Sequence, residues 1–95
     1  MDTTELANRW QRDGYDVATR QVMPDISRSP HAHPFDARGL ILAGELTLTW
    51  EGQTHTFRVG EIFDIPAGCI HSEQYGSEMS TLLLGRRHHS SDVGS

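Results

Sequence analysis

Apolar positions recur with two different periods along this chain, and the change from one to the other divides it. Near the start, Leu6 and Trp10 lie four apart with Ala7 beside them, the spacing of one helical face. Asp2 can cap the first turn, and Glu5 follows three residues on, an acidic form of the capping box. The pattern predicts a short helix over about residues 3–12, stopped by Gly14. From Tyr15 the period is two. Tyr15, Val17 and Thr19 alternate with Asp16, Ala18 and Arg20, and Val22 and Met23 follow, as in a first strand. Pro24 and Pro30 break the next stretch into a loop or an irregular edge. His31–His33 is then a short extended piece ended by Pro34.

Leu40-Ile41-Leu42-Ala43 is apolar throughout, which predicts a strand buried on both faces. A partner subunit or the N-terminal helix would have to cover its outer side. Leu46, Leu48 and Trp50 alternate with Glu45, Thr47 and Thr49 in a half-buried strand, and Glu51-Gly52 is a two-residue hairpin turn. The return strand then sets His55 opposite Leu48 and Phe57 opposite Leu46, with Val59 in the same phase. Ile62–Ile65, Ile70–Tyr75 and Met79–Leu84 are further strands, separated by Pro66-Ala67-Gly68 and by Gly76-Ser77, with Gly85 ending regular structure. About eight short strands and one helix make an all-β barrel or sandwich. The expected organisation is an N-terminal helix over 1–14 packed on the barrel, a barrel over 15–85, and a polar, mobile tail over 86–95.

Ninety-five residues suffice for one small domain, whose limited core a dimer interface or a bound metal would help to stabilise. Thirteen acidic against eight basic residues give a net charge of -5, and no basic stripe argues for nucleic acid. A single cysteine, Cys69, rules out an intrachain disulfide and fits a reducing compartment. The acidic start is unlike a signal peptide, and the longest apolar run is too short to span a membrane. The expectation is a soluble, cytoplasmic protein that engages neither nucleic acid nor membrane.

The candidate chemistry lies in histidines. On a strand, residues two apart share a face, so His31 and His33 can present adjacent imidazoles. If the Pro66-Ala67-Gly68 turn brings its strand alongside, His71 joins them. Three convergent imidazoles suit a divalent transition metal. His55 is expected at the barrel rim, Glu73 and Gln74 likewise, and His88 and His89 in solvent. Cys69 reads as a small, partly buried apolar residue, and Tyr75 as packing or a hydrogen-bond donor at a pocket wall. There is no Ser/His/Asp set, phosphate loop or zinc-finger spacing.

These residues carry a resemblance to the cupins, a family of small jelly-roll barrels. The second cupin motif, G-x5-P-x-G-x2-H-x3-N, is met by Gly60, Pro66, Gly68 and His71, with Tyr75 in place of the Asn. The first, G-x5-H-x-H-x3or4-E-x6-G, is met by His31, His33 and Gly44, with Asp25 at its leading Gly and Ala37 at its Glu. The resemblance covers residues 15–85. It implies a double-stranded β-helix barrel holding one metal (iron, manganese, nickel, copper or zinc) on His31, His33 and His71, and a homodimer. Ala37 cannot ligate, so two versions of the site stay open. Three neutral imidazoles bind alone, or Asp36 swings in through a bulge to supply a carboxylate. The implied activities are metal-dependent chemistry on a small anionic molecule, of dioxygenase, isomerase or lyase type, or ligand sensing without turnover.

Overall fold

The computed structural model describes residues 2–88. One helix, α1 (Thr3–Arg12), precedes eight strands: β1 (Asp16–Val22), β2 (Ser27–His31), β3 (Phe35–Ala43), β4 (Glu45–Trp50), β5 (Gln53–Arg58), β6 (Ile62–Ile65), β7 (His71–Tyr75) and β8 (Ser80–His88). They form two antiparallel four-stranded sheets, ordered β1-β8-β3-β6 and β2-β7-β4-β5. This is the expected all-β jelly roll with its short N-terminal helix. Asp2 caps α1 as expected, its carboxylate accepting from the amides of Thr4 and Glu5.

The continuous apolar run of β3 has the two-sided burial it predicts. Ile41 faces the space between the sheets and packs with Leu46, Leu48, Phe63, Ile65, Tyr75 and Leu82. Leu40 faces the other way, into a second cluster with Trp10, Tyr15 and Leu83. The helix, one of the two candidate covers, is in place: Trp10 is only 3% exposed. Burying a side chain of that size contributes on the order of 3 kcal/mol.

The hairpin register also holds, with Leu46 opposite Phe57 and Leu48 opposite His55. Glu51 and Gly52 both take positive φ (49° and 75°), the conformation a two-residue hairpin loop demands. Of the two readings of Pro24–Pro30 the irregular edge is the one found, and one expected boundary shifts. The Pro24–Pro30 stretch contributes a pairing strand, β2, at the edge of its sheet. The last strand runs three residues past Gly85, because Arg86, Arg87 and His88 pair with Ala37, Asp36 and Phe35 of β3. The expected tail is therefore strand up to His88, and its remainder, 89–95 with His89, lies outside the described residues.

Candidate metal centre

The site forms at the edge where β2 meets β7. Arg28 pairs with Glu73 and His31 with His71, so three steps along β2 match two along β7. That extra residue is a bulge at Ser29-Pro30, where proline's missing amide costs no ladder bond. The bulge has a chemical consequence. Without it, strict alternation would put His31 on the face opposite Arg28. With it, Arg28, His31, His71 and Glu73 share one face. Pro34 ends the extended piece two residues later, after His33. The carbonyl of His33 accepts a 2.9 Å bond from the amide of Gly68, whose φ of 82° suits glycine. The Pro66-Ala67-Gly68 turn is thereby tied to the first two histidines just before it delivers the third.

The three rings meet with centroid separations of 5.2 Å (His31–His33), 4.5 Å (His31–His71) and 4.7 Å (His33–His71). Glu73 joins them. One donor atom from each of these four residues lies within 4.8 Å of every other. Ligands about 2.1 Å from a common ion stand at most ~4.2 Å apart, so small side-chain adjustments would close the set. His71 is buried, and the side chain of Glu73 is 12% exposed.

Hydrogen bonds fix the tautomers. His31 Nδ1 lies 2.8 Å from the Ser29 carbonyl, and His71 Nδ1 lies 3.0 Å from the Cys69 carbonyl. Carbonyls only accept, so both Nδ1 atoms carry the proton and both Nε2 atoms are left with a lone pair in the neutral ring. Those Nε2 atoms lie 3.4 and 3.3 Å from the same oxygen, Oε2 of Glu73. An ionised carboxylate is an acceptor as well. Two lone pairs and an anion facing one point are compatible only with positive charge among them, from protons or a metal ion. His33 adds a buried Nδ1 without a hydrogen-bond partner. Its basicity is lowered by burial first, then by the neighbouring His71 and His31, which keeps the ring neutral and able to donate electrons. By donor chemistry, charge and spacing, the residues present fit a divalent transition metal.

One expectation is corrected here, and one of the two open versions of the site is closed. Glu73, assigned to the rim, is inside the cluster. The signal was the same alternation that picked out His31 and His33, since Glu73 is two residues from His71. Asp36 does not enter the site. It accepts from the Ala67 amide at 2.9 Å and pairs with Arg87 at 2.9 Å on the other face of β3, while Ala37 faces inward. Alternation thus holds through this part of β3.

The other candidates stay outside the centre. His55 is exposed and lies 3.7 Å from Glu61. His88 is exposed at the end of β8. Cys69 is partly buried beside Trp50, Phe57 and His71, at a small cavity of about 100 Å³. Tyr75 is buried and held in its protonated form, by burial first and then by the charge of Glu73.

A cavity of about 560 Å³ opens between the sheets in front of His31, His33 and Glu73. Its floor is apolar, made by Val22, Leu46, Leu48, Phe63 and Leu82, while Arg20, Arg28 and Arg86 supply positive charge. That volume is in the range of small-molecule sites.

The chain matches the family model described as "Cupin domain" over residues 19–84. No match was found among curated proteins. Solved structures of similar fold include a cupin superfamily protein from Desulfitobacterium hafniense, 22% identical with a TM-score of 0.68 over 81% of this chain and 70% of that one. A protein of unknown function from Rhizobium leguminosarum is 21% identical, with a TM-score of 0.72 over 79% of this chain and 71% of that one. Drosophila melanogaster CENP-C, solved bound to CAL1, is 20% identical, with a TM-score of 0.61 over 74% of this chain and 60% of that one. At these identities the likeness is one of fold.

Proposed function

We propose that this chain, which belongs to the cupin domain family, holds one divalent transition metal on His31, His33 and His71, with Glu73 as a fourth donor. The observation that carries the reading is electrostatic. Two imidazoles committed through Nδ1 to backbone carbonyls aim their remaining nitrogens at one carboxylate oxygen. Iron, manganese, nickel, copper and zinc all suit a mixed nitrogen and oxygen donor set.

Bound there, the metal would supply Lewis-acid activation of a coordinated small molecule or, as iron, oxygen-dependent oxidation of it. The chain's own contribution is to bind and orient that molecule. Apolar side chains form the cavity floor, and the Tyr75 hydroxyl, held in its protonated form, is turned to Glu73. The favoured ligand is a small organic anion, since the carboxylate of Glu73 offsets only part of the metal's charge and arginines line the cavity.

The second reading is a ligand-binding or sensory module without turnover. One observation favours it: among the described residues lining the cavity, no carboxylate or histidine stands apart from the four donors to act as an independent general base. A homodimer and a cytoplasmic setting complete the proposal.

Metal analysis of protein purified without nickel resin tests the centre. One metal per chain is expected, and His33→Ala and His71→Ala should lose it. Protein that takes up none of the five metals, and whose thermal stability none of them changes, overturns the proposal. Oxygen uptake by iron-loaded protein over a panel of small acids and thiols separates enzyme from binder.

A further inference from the structure

We infer that the cavity is built for a small monocarboxylate, which docks its carboxylate on Arg86 and lays a short apolar chain along the floor. This deepens the functional reading above and rests on the metal only for the tighter binding expected of the metal-loaded form.

The inference begins with strand phase. Leu82, Leu84 and Arg86 alternate along β8 and all line the cavity. Leu82 and Leu84 are apolar wall, so Arg86 places a cation at the end of an otherwise greasy strip. Its cross-strand partner in β3 is Ala37, whose buried methyl leaves space where a longer side chain could have met the guanidinium. The guanidinium lies over the ring of Phe35, 5.1 Å from its centroid. Phe35 in turn stacks on His33 at 4.5 Å with the planes 8° apart. Aromatic packing therefore holds the cation next to the histidine cluster.

Arg86 differs from Arg28, Arg38, Arg58 and Arg87, which are ion-paired, and from Arg20, which is exposed. Arg28 meets Glu73 at 3.6 Å, Arg38 meets Asp64 at 2.7 Å, Arg58 meets Glu45 at 3.7 Å and Arg87 meets Asp36 at 2.9 Å. Among the described residues Arg86 has no carboxylate within ion-pair distance, although it is partly buried. A guanidinium withdrawn from water is costly without an anion, and its planar fork matches the two oxygens of a carboxylate. The chain as a whole carries -5, so the positive lining is local to the cavity and not a general property of the surface. Arg20 adds a second cation at the exposed mouth. Val22, Leu46, Leu48, Phe63 and Leu82 carry no charge, so the part of the ligand that lies along them is apolar.

The test is calorimetric titration of metal-free and cobalt-loaded protein with butanoate, butanamide and inorganic phosphate. Butanoate should bind both forms, the cobalt form more tightly, with at least about tenfold preference over butanamide. In the metal-free protein Arg86→Gln should abolish that preference, and Arg86→Lys should restore part of it; cobalt affinity should stay within about twofold. Ala37→Glu, which would place a carboxylate against Arg86, should block butanoate in the same way. The inference is overturned if butanoate and butanamide bind alike, if phosphate binds as tightly as butanoate, or if metal-free Arg86→Gln keeps the preference. Failure of cobalt to bind at all would sink the metal centre separately, and the metal-free titration would still decide the role of Arg86.

Discussion

Replacing Glu73 by Gln separates a metal centre from an ordinary buried polar cluster, because the two readings predict opposite changes. The side chain keeps its shape and loses its charge. In the metal-free protein the wild-type carboxylate oxygen faces two ring nitrogens at 3.3 and 3.4 Å, and both rings have already committed their Nδ1–H groups to carbonyls. With neutral rings these contacts set acceptor against acceptor. A glutamine amide can turn its NH₂ toward one or both nitrogens and replace that conflict with a hydrogen bond, worth roughly 1 kcal/mol. The loss on the other side is small, because the amide oxygen can still accept from the Tyr75 hydroxyl that faces Glu73. Arg28 is 3.6 Å from Glu73 and its side chain is 56% exposed, so water screens that pair.

Metal-free Glu73→Gln is therefore expected to melt above wild type near pH 8, by about 4–8 °C for a domain of this size. Metal binding should move the other way. Loss of an outer-sphere partner typically weakens a metal about 10- to 100-fold, and loss of an anionic donor should reach at least the upper figure, or ~2.7 kcal/mol. Calorimetric titration with zinc and thermal melts with and without it measure both. Unchanged zinc affinity would refute Glu73 as a donor. A metal-free variant several degrees less stable than wild type would show that the carboxylate is a structural hub instead, and the lone-pair argument would fall with it.

Asp36→Asn should have the complementary profile: stability falls by about 1.5–3 kcal/mol in chemical denaturation, because the Arg87 pair and the bond to the Ala67 amide weaken, while zinc stoichiometry is unchanged. The burial-lowered basicity of His33 sets a pH dependence. Its folded-state value lies below the ordinary 6.5, so in acid the unfolded chain takes up the extra proton and stability falls with it. Metal-free protein should weaken as pH drops through and below about 6.5, and His33→Gln should flatten that limb of the stability profile. Trp10→Ala should cost about 3–5 kcal/mol by opening the cluster under α1, and the metal-loaded protein should still titrate with unchanged stoichiometry, since Trp10 packs on the outer face of its sheet.

What could be read from the sequence followed from local periodicity, and what could not followed from register. The helix, the hairpin and the two-sided burial of Leu40–Ala43 each depend on a few consecutive residues, so composition and spacing suffice for them. The convergence of His31 with His71 depends instead on a bulge at Ser29-Pro30, and nothing in a stretch of proline and serine specifies how many residues β2 sets against β7. Spacing could suggest that these histidines meet, but it could not say which carboxylate comes with them. Attention goes naturally to Asp36, one residue from the expected position, yet one residue on a strand is the wrong face. Glu73 is 37 residues further along the chain and only two from His71, on the correct face throughout. The acid in this cluster comes from the strand of the third histidine, and Ala37 is left small opposite Arg86. Moving the acid out of β3 therefore does two things at once. It keeps an anion among the imidazoles, and it frees a cation in the cavity that a carboxylate at position 37 would have occupied.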